Sequence, residues 1–175
     1  MKRGNICRPK GFTLMELLIV IAIIGALAGI SVPIAKAMIA KSRESACLGN
    51  LRQIGVAVEL YLGDNSGVLP DLEIGREDKS SDAAVMETVL IEYVENEDVF
   101  HCPADFKEFG KSGSSYNWNH TQSGRQVNQM SFFGEDKPER IPLVSDKEAW
   151  HPGGTNFLYA DYSSSNKVRF ITLED

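Results

Sequence analysis

Three sets of residues in this 175-residue chain have types and spacings that could carry chemistry. The first is Gly11-Phe12 followed by a single acid, Glu16, at the head of an uncharged run from Leu17 to Ala35 in which only Ser31 is polar. A carboxylate at the edge of hydrocarbon is costly unless a positive group pairs with it, so Glu16 is the foremost candidate for a functional contact. The second set is Cys47 and Cys102, with Cys7 near the start. The third is the scattered oxygen and nitrogen donors of the C-terminal half. Asp64, Asn65, Asp71, Asp105, Asp136, Asp146 and Asp161 offer hard oxygen donors. None sits in a dense alternating acidic loop, so solvated turn aspartates are the plainer reading. Zinc is disfavoured, because His101, Cys102, His120 and His151 lack ligand spacing. A Ser145–His151–Asp161 hydrolase triad can be drawn, but no G-x-S-x-G elbow accompanies it, and the chain is not expected to be an enzyme.

The elements that must position these residues follow from periodicity. Nineteen apolar or small residues from Leu17 to Ala35 would span about 28 Å as a helix, the thickness of a bilayer's hydrocarbon core. Past Pro33 the pattern becomes amphipathic, with Cys47, Leu48, Leu51, Ile54, Val58, Tyr61 and Leu62 on one face and Glu44 among the polar positions off it. One helix is therefore expected from Phe12 to Leu62, bent near Gly25, Gly29 or Pro33 and stopped at Gly63. At about 75 Å it is too long for a small globule to bury, so its front half needs lipid or other helices. A second helix is expected over Asp82–Val94, capped by Ser80 or Ser81. Strands are expected at Ser114–Asn119, Ile141–Ser145, Thr155–Tyr162 and Lys167–Thr172, the last two forming a hairpin around Ser163-Ser164-Ser165-Asn166. Tyr116, Trp118, Trp150 and Tyr159 are expected to pack in the core or the hairpin. The fold class is α+β: a long N-terminal helix on a small antiparallel sheet.

The order of basic leader (Lys2, Arg3, Arg8, Lys10), Gly11, Phe12, Glu16 and membrane-length helix resembles the class III signal of type IV prepilins and type II secretion pseudopilins. The resemblance implies a leader over 1–11, cut after Gly11 by prepilin peptidase, with methylation of the new N-terminal Phe12. It implies a transmembrane and assembly helix over 12–35, with Pro33 at the family's kink position, and an exported domain over 36–175. Glu16 becomes the fifth mature residue, where its carboxylate would meet the Phe12 amine of a neighbouring subunit. The implied partners are prepilin peptidase, other pilin or pseudopilin subunits in a filament, an inner-membrane assembly platform and a separate cytoplasmic ATPase. The implied location is the inner membrane, with the C-terminal domain in the periplasm and then on a filament. Calcium is bound by many major pseudopilins, which is the reason to consider Asp146 and Asp161 at all; no other cofactor is implied.

Positive charge in the leader agrees with an N-terminus kept in the cytoplasm. With Cys7 lost in the leader, Cys47 and Cys102 remain in an oxidising compartment, either bonded or as separate buried thiols. A bond would close a long loop and contribute about 3–4 kcal/mol. Loss of the leader also leaves 14 basic against 24 acidic residues, net −10, which disfavours nucleic acid as a partner and with it a DNA-uptake role. Two alternatives remain. Ala26-Leu27-Ala28 offers an ordinary signal-peptidase site, which would release a soluble domain. The chain could also be a membrane-tethered binding module that never polymerises.

A second resemblance covers CLGNLRQIG, YLGDNSGVLP, VFHCPAD and HPGGTNFLYADY, which are similar to a branch of prepilin-like proteins from environmental bacteria. Their C-terminal signature places a His ten residues before Asp-Gly. His151 and Asp161 keep that spacing, but Tyr162 replaces the Gly. Both cysteine contexts recur in that branch, which supports the bond.

Overall fold

The computed structural model describes residues 11–170. The leader expectation, apart from Gly11, and the end of the last expected strand lie outside the described residues. The chain divides into two compact units, Met1–Ile39 and Ala40–Asp175. Helix α1, Leu14–Asp64, runs through the boundary with Pro33 inside it.

In the first unit every described side chain from 11 to 39 is exposed, including the large apolar ones. Among the described residues α1 is the only helix long and apolar enough to cross a membrane, and none of its apolar window is buried. A helix apolar on all sides has no water-facing side and calls for lipid or other helices around it.

In the second unit α1 is amphipathic and buries Glu44, Cys47, Leu51, Ile54, Gly55, Ala57, Val58 and Leu62. Of the expected face, Cys47, Leu51, Ile54, Val58 and Leu62 are buried and Leu48 and Tyr61 half-buried; Glu44, expected off it, joins it with Gly55 and Ala57. The helix ends at Asp64, one residue past the expected stop at Gly63. The stop comes at Ser66 and Gly67, whose φ values of 57° and 75° are left-handed, and the Gly67 N–H donates back to the Leu62 carbonyl at 2.9 Å.

Four antiparallel strands pair in the order β1 (Tyr116–Trp118), β2 (Pro142–Asp146), β3 (Phe157–Tyr159) and β4 (Ser164–Ser165). Tyr116 lies opposite Asp146 and Trp118 opposite Val144; a bulge falls between Pro142 and Val144. Trp118, Tyr116, Leu143, Val144 and Leu158 join the α1 face in one core with Phe100, Leu90 and Met86. Gly55 lets β3 approach α1: a Cβ there would stand 3.1 Å from Leu158 Cδ1 and 3.4 Å from Tyr162 Cβ.

Two elements differ from expectation. Helix α2 covers only Met86–Val89, followed by a 3-10 turn over Leu90–Tyr93. The Ala84 carbonyl accepts from Glu73 N–H at 2.9 Å and Val85 is extended, so 82–85 stays outside the helix. The final hairpin is also displaced. Ser164 and Ser165, expected in the turn, form β4, and the turn is Ala160-Asp161-Tyr162. Tyr162 has φ 61°, the conformation a glycine adopts most easily, at the position where the resembled signature carries Gly. Asp161 Oδ1 accepts from the Ser163 N–H (3.0 Å) and Oγ (2.6 Å), which holds that turn without the glycine. Residues 167–170 are not a strand. They are tied to Tyr159, whose hydroxyl donates to the Lys167 carbonyl (2.6 Å) and accepts from Arg169 N–H (3.1 Å).

The remaining helix, α3 (Glu108–Ser112), is anchored by Asp105. Its carboxylate accepts from the backbone N–H groups of Lys107, Glu108 and Phe109 at 2.7–2.8 Å and from Ser115 Oγ at 2.6 Å.

Candidate assembly and processing site

Gly11 and Phe12 precede α1 and are exposed, which leaves the Gly11–Phe12 bond in non-helical backbone. Phe12 is 75% exposed. Thr13 occupies the position before the first helical residue, and Glu16 the third position of the helix. Thr13 N–H and Thr13 Oγ1 each donate to Glu16 Oε2 at 2.8 Å, and the Glu16 N–H donates back to Thr13 Oγ1 at 3.2 Å. This is a reciprocal capping box, and Glu16 also places negative charge in the positive first turn of the helix. Within one chain, then, Glu16 already caps α1. The signal was legible, since T-x-x-E ahead of an apolar run is a helix-start pattern. Both contacts fall on Oε2, so Oε1 is the oxygen placed for a further donor.

In the second unit Cys47, on α1, is bonded to Cys102 with an S–S distance of 1.96 Å and a Cα–Cα distance of 5.1 Å. The bond fastens the chain just after Phe100 to the helix, and Asn50 Nδ2 on the next turn donates to the His101 carbonyl at 2.7 Å. Glu44, one turn before Cys47, is buried. It accepts from Lys41 Nζ (2.9 Å) and Asn166 Nδ2 (2.7 Å), and the Lys41 hydrogen bond, outweighing burial, holds its carboxyl below the usual range. Gly153 stands so close that a Cβ there would meet Glu44 Oε1 at 2.6 Å and Asn166 Nδ2 at 2.5 Å.

The candidate calcium residues do not share a site. Asp146 ends β2 and is buried, whereas Asp161 is exposed in the turn at the far end of β3. Asp146 instead meets His151, with Oδ2 3.7 Å from His151 Nε2, and accepts the Asn156 N–H at 2.7 Å. Burial pushes the Asp146 carboxyl up to about 7 against the pull of that N–H, and burial pushes the His151 imidazole down. His151 Nε2 also lies 3.2 Å from Cys102 Sγ. The other two histidines are elsewhere: His101 stacks on Phe109, with ring centroids 4.4 Å apart, and His120 is exposed. Sequence spacing missed the grouping of Asp146, His151 and the disulfide, because it is made by a helix, a loop and a strand end that meet only in the fold.

Residues 7–32 match the family described as the prokaryotic N-terminal methylation motif. The chain is 47% identical over 55 residues to a type IV major fimbrial protein FimA of Dichelobacter nodosus, covering 31% of this chain and 35% of that one. It is 40% identical over 79 residues to fimbrial protein Q of Moraxella bovis, covering 45% of this chain and 49% of that one. The chain thus spans half or less of the length of the curated relatives it matches. No solved structure matches it. With a helix that is apolar all round at its front, amphipathic behind, and laid on a four-stranded antiparallel sheet, the chain is a pilin-like α+β protein that carries the prokaryotic N-terminal methylation motif and is distantly similar to type IV fimbrial pilins.

Proposed function

We propose that this chain is a structural filament subunit, cut by prepilin peptidase between Gly11 and Phe12 and polymerised through its N-terminal helix. The observation that carries this reading is the methylation motif set directly on a helix whose apolar residues are exposed on every side. Residues 1–11 are then the leader, 12–35 wait in the inner membrane, and 36–175 form the exported domain. The fimbrial names of the matching relatives favour a type IV pilus over a secretion pseudopilus.

In the assembly step the new Phe12 amine of one subunit meets Glu16 of its neighbour. Because Oε2 is held by Thr13, the pair forms through Oε1, and the helix cap survives the contact. The attraction is strong where water is scarce and weak where it is abundant, so it sets register as the helices pack together.

Intact mass and N-terminal sequence of the protein from its native membrane test processing. A chain beginning at methylated Phe12 is expected, whereas one beginning at Gly29 makes this a secreted domain and ends the filament reading. Glu16→Gln keeps an oxygen for the Thr13 bonds but removes the charge, and it is expected to cut crosslinked subunit ladders about tenfold or more. Full-length, correctly processed wild-type protein that yields no ladder would instead identify a tethered binding module.

A further inference from the structure

The disulfide has an unusual neighbour. Cys47 Sγ, Cys102 Sγ and a ring nitrogen of His151 all lie within 4.8 Å of one another, and all three residues are buried. Asp146 Oδ2 stands 3.7 Å from His151 Nε2, the same ring nitrogen that faces Cys102 Sγ. Four donors bound tetrahedrally to zinc lie about 3.3–3.8 Å apart, given bonds of about 2.0–2.3 Å. The Cys102 Sγ–His151 Nε2 separation of 3.2 Å and the His151–Asp146 separation already fall close to that scale. The two bonded sulfurs, whose Cα atoms stand 5.1 Å apart, must part, and Asp146, which lies outside the 4.8 Å group, must swing toward them.

The bonded state leaves this corner poorly satisfied. Asp146 Oδ1 and His151 Nδ1 are buried without a hydrogen-bond partner, and the strongest neighbour of Nε2 is a disulfide sulfur, a weak acceptor. A buried carboxylate and imidazole with unpaired atoms, the imidazole against a disulfide sulfur, are arranged better for a cation than for one another.

We propose that before the disulfide forms, Cys47, Cys102, His151 and Asp146 make a buried site for a thiophilic divalent cation of the zinc type, so that metal binding and disulfide formation are alternative states of one place. Loading needs no redox partner in a newly made chain. Two thiols bind one Zn2+ and release two protons, while His151 Nε2 and the Asp146 carboxylate supply lone pairs. Closing the disulfide then requires an exchange-active disulfide as oxidant. The two thiolates give up two electrons and become the Cys47–Cys102 bond, the oxidant takes these electrons with two protons to become a dithiol, and Zn2+ leaves. The site holds the helix against the β2 end while the bond is still open. It stands independently of the filament reading, since all four residues belong to the second unit.

The test uses the full chain in detergent with Cys7→Ser, so that two thiols remain. Oxidised and phosphine-reduced protein are titrated with Zn2+ against a chromogenic chelator, and with Co2+ as a spectroscopic stand-in. The expected result is one metal per reduced chain, none per oxidised chain, and a cobalt spectrum with thiolate charge transfer and tetrahedral d–d bands. His151→Gln and Asp146→Asn, each first shown to fold in the oxidised form, are expected to weaken binding about tenfold or more. Where reduction alone loosens the fold, zinc is expected to restore the near-ultraviolet dichroism of buried Tyr116 and Trp118. Equal uptake by oxidised protein, no uptake by reduced protein, or cobalt binding indifferent to both substitutions overturns the proposal; the last would be unspecific capture by two thiols.

Discussion

Glu16 and Glu44 lie on the same helix, and each is hydrogen-bonded by the residue three positions before it: Thr13 for Glu16, Lys41 for Glu44. The two regions around them nonetheless obey opposite rules. From 11 to 39 nothing is buried and apolar side chains cover the whole circumference, so Glu16 is the sole acid and its partner is a neutral cap. From residue 40 onward a single face is buried, and Glu44 lies on it, held by an ammonium and by Asn166 from the far end of the chain. An acid is admitted to either region once its hydrogen bonds are made. What differs is whether they come from the adjacent turn alone or from the completed fold, and so whether the region is ordered before or only after the chain has closed.

The widest separation between the regions is expected from the disulfide. Cys47→Ser with Cys102→Ser should cost the second unit about 3–4 kcal/mol in chemical denaturation, since the bond spans 55 residues. Extraction of the chain from membranes should not change; easier extraction would mean that the regions are not energetically separate. Next come paired truncations of one residue type on one helix. Ile54→Ala, in the core, should cost about 3 kcal/mol, while Ile24→Ala should leave the melting of the second unit where it was. Equal effects would break the comparison.

Acid and base should then separate two aspartates within the second unit. Asp146 has its folded pKa raised to about 7, so its contribution is fully present below the unfolded value near 4 and is lost as pH rises through 7. Asp146→Asn should flatten that decline and raise stability at pH 8 by on the order of 2 kcal/mol in urea melts. Asp105 runs the other way. Burial alone would raise its pKa, but the Ser115 and α3 hydrogen bonds outweigh it and hold the carboxyl below the usual range. Its contribution is therefore present above the unfolded value and lost as pH falls through the depressed one, so Asp105→Asn should flatten the acid limb instead. The smallest effect is expected at the start of α1. Thr13→Ala removes one side of the capping box and should cost about 1 kcal/mol or less, read as faster amide exchange at Glu16–Leu18 in micelles, with no change in the second unit.

What the sequence disclosed divides along the same line. α1 could be read because its apolar run and its later three-and-four spacing are local, and β1, β2 and β3 fall on expected runs, whereas β4 forms where a turn was expected. The capping box is equally local, a T-x-x-E pattern directly ahead of the apolar run. The shortened α2 was not legible, since nothing in 82–85 announces that Ala84 will be claimed by Glu73. Nor was the burial of Glu44, which depends on Asn166, 122 residues away. The pairing of Asp146 with His151 hides for another reason: the two are near in sequence, but an irregular loop rather than a helical or strand spacing brings them together.

The disulfide also determines how the molecule answers a pull. Because Cys47 is joined to Cys102, residues 48–101 form a closed covalent loop. Tension applied between the front of α1 and the sheet passes through the sulfur bridge and bypasses that loop. The rest of the helix and the turn at Gly67 are thereby relieved of load, and a subunit stretched along its chain can lengthen only by releasing what lies outside the loop.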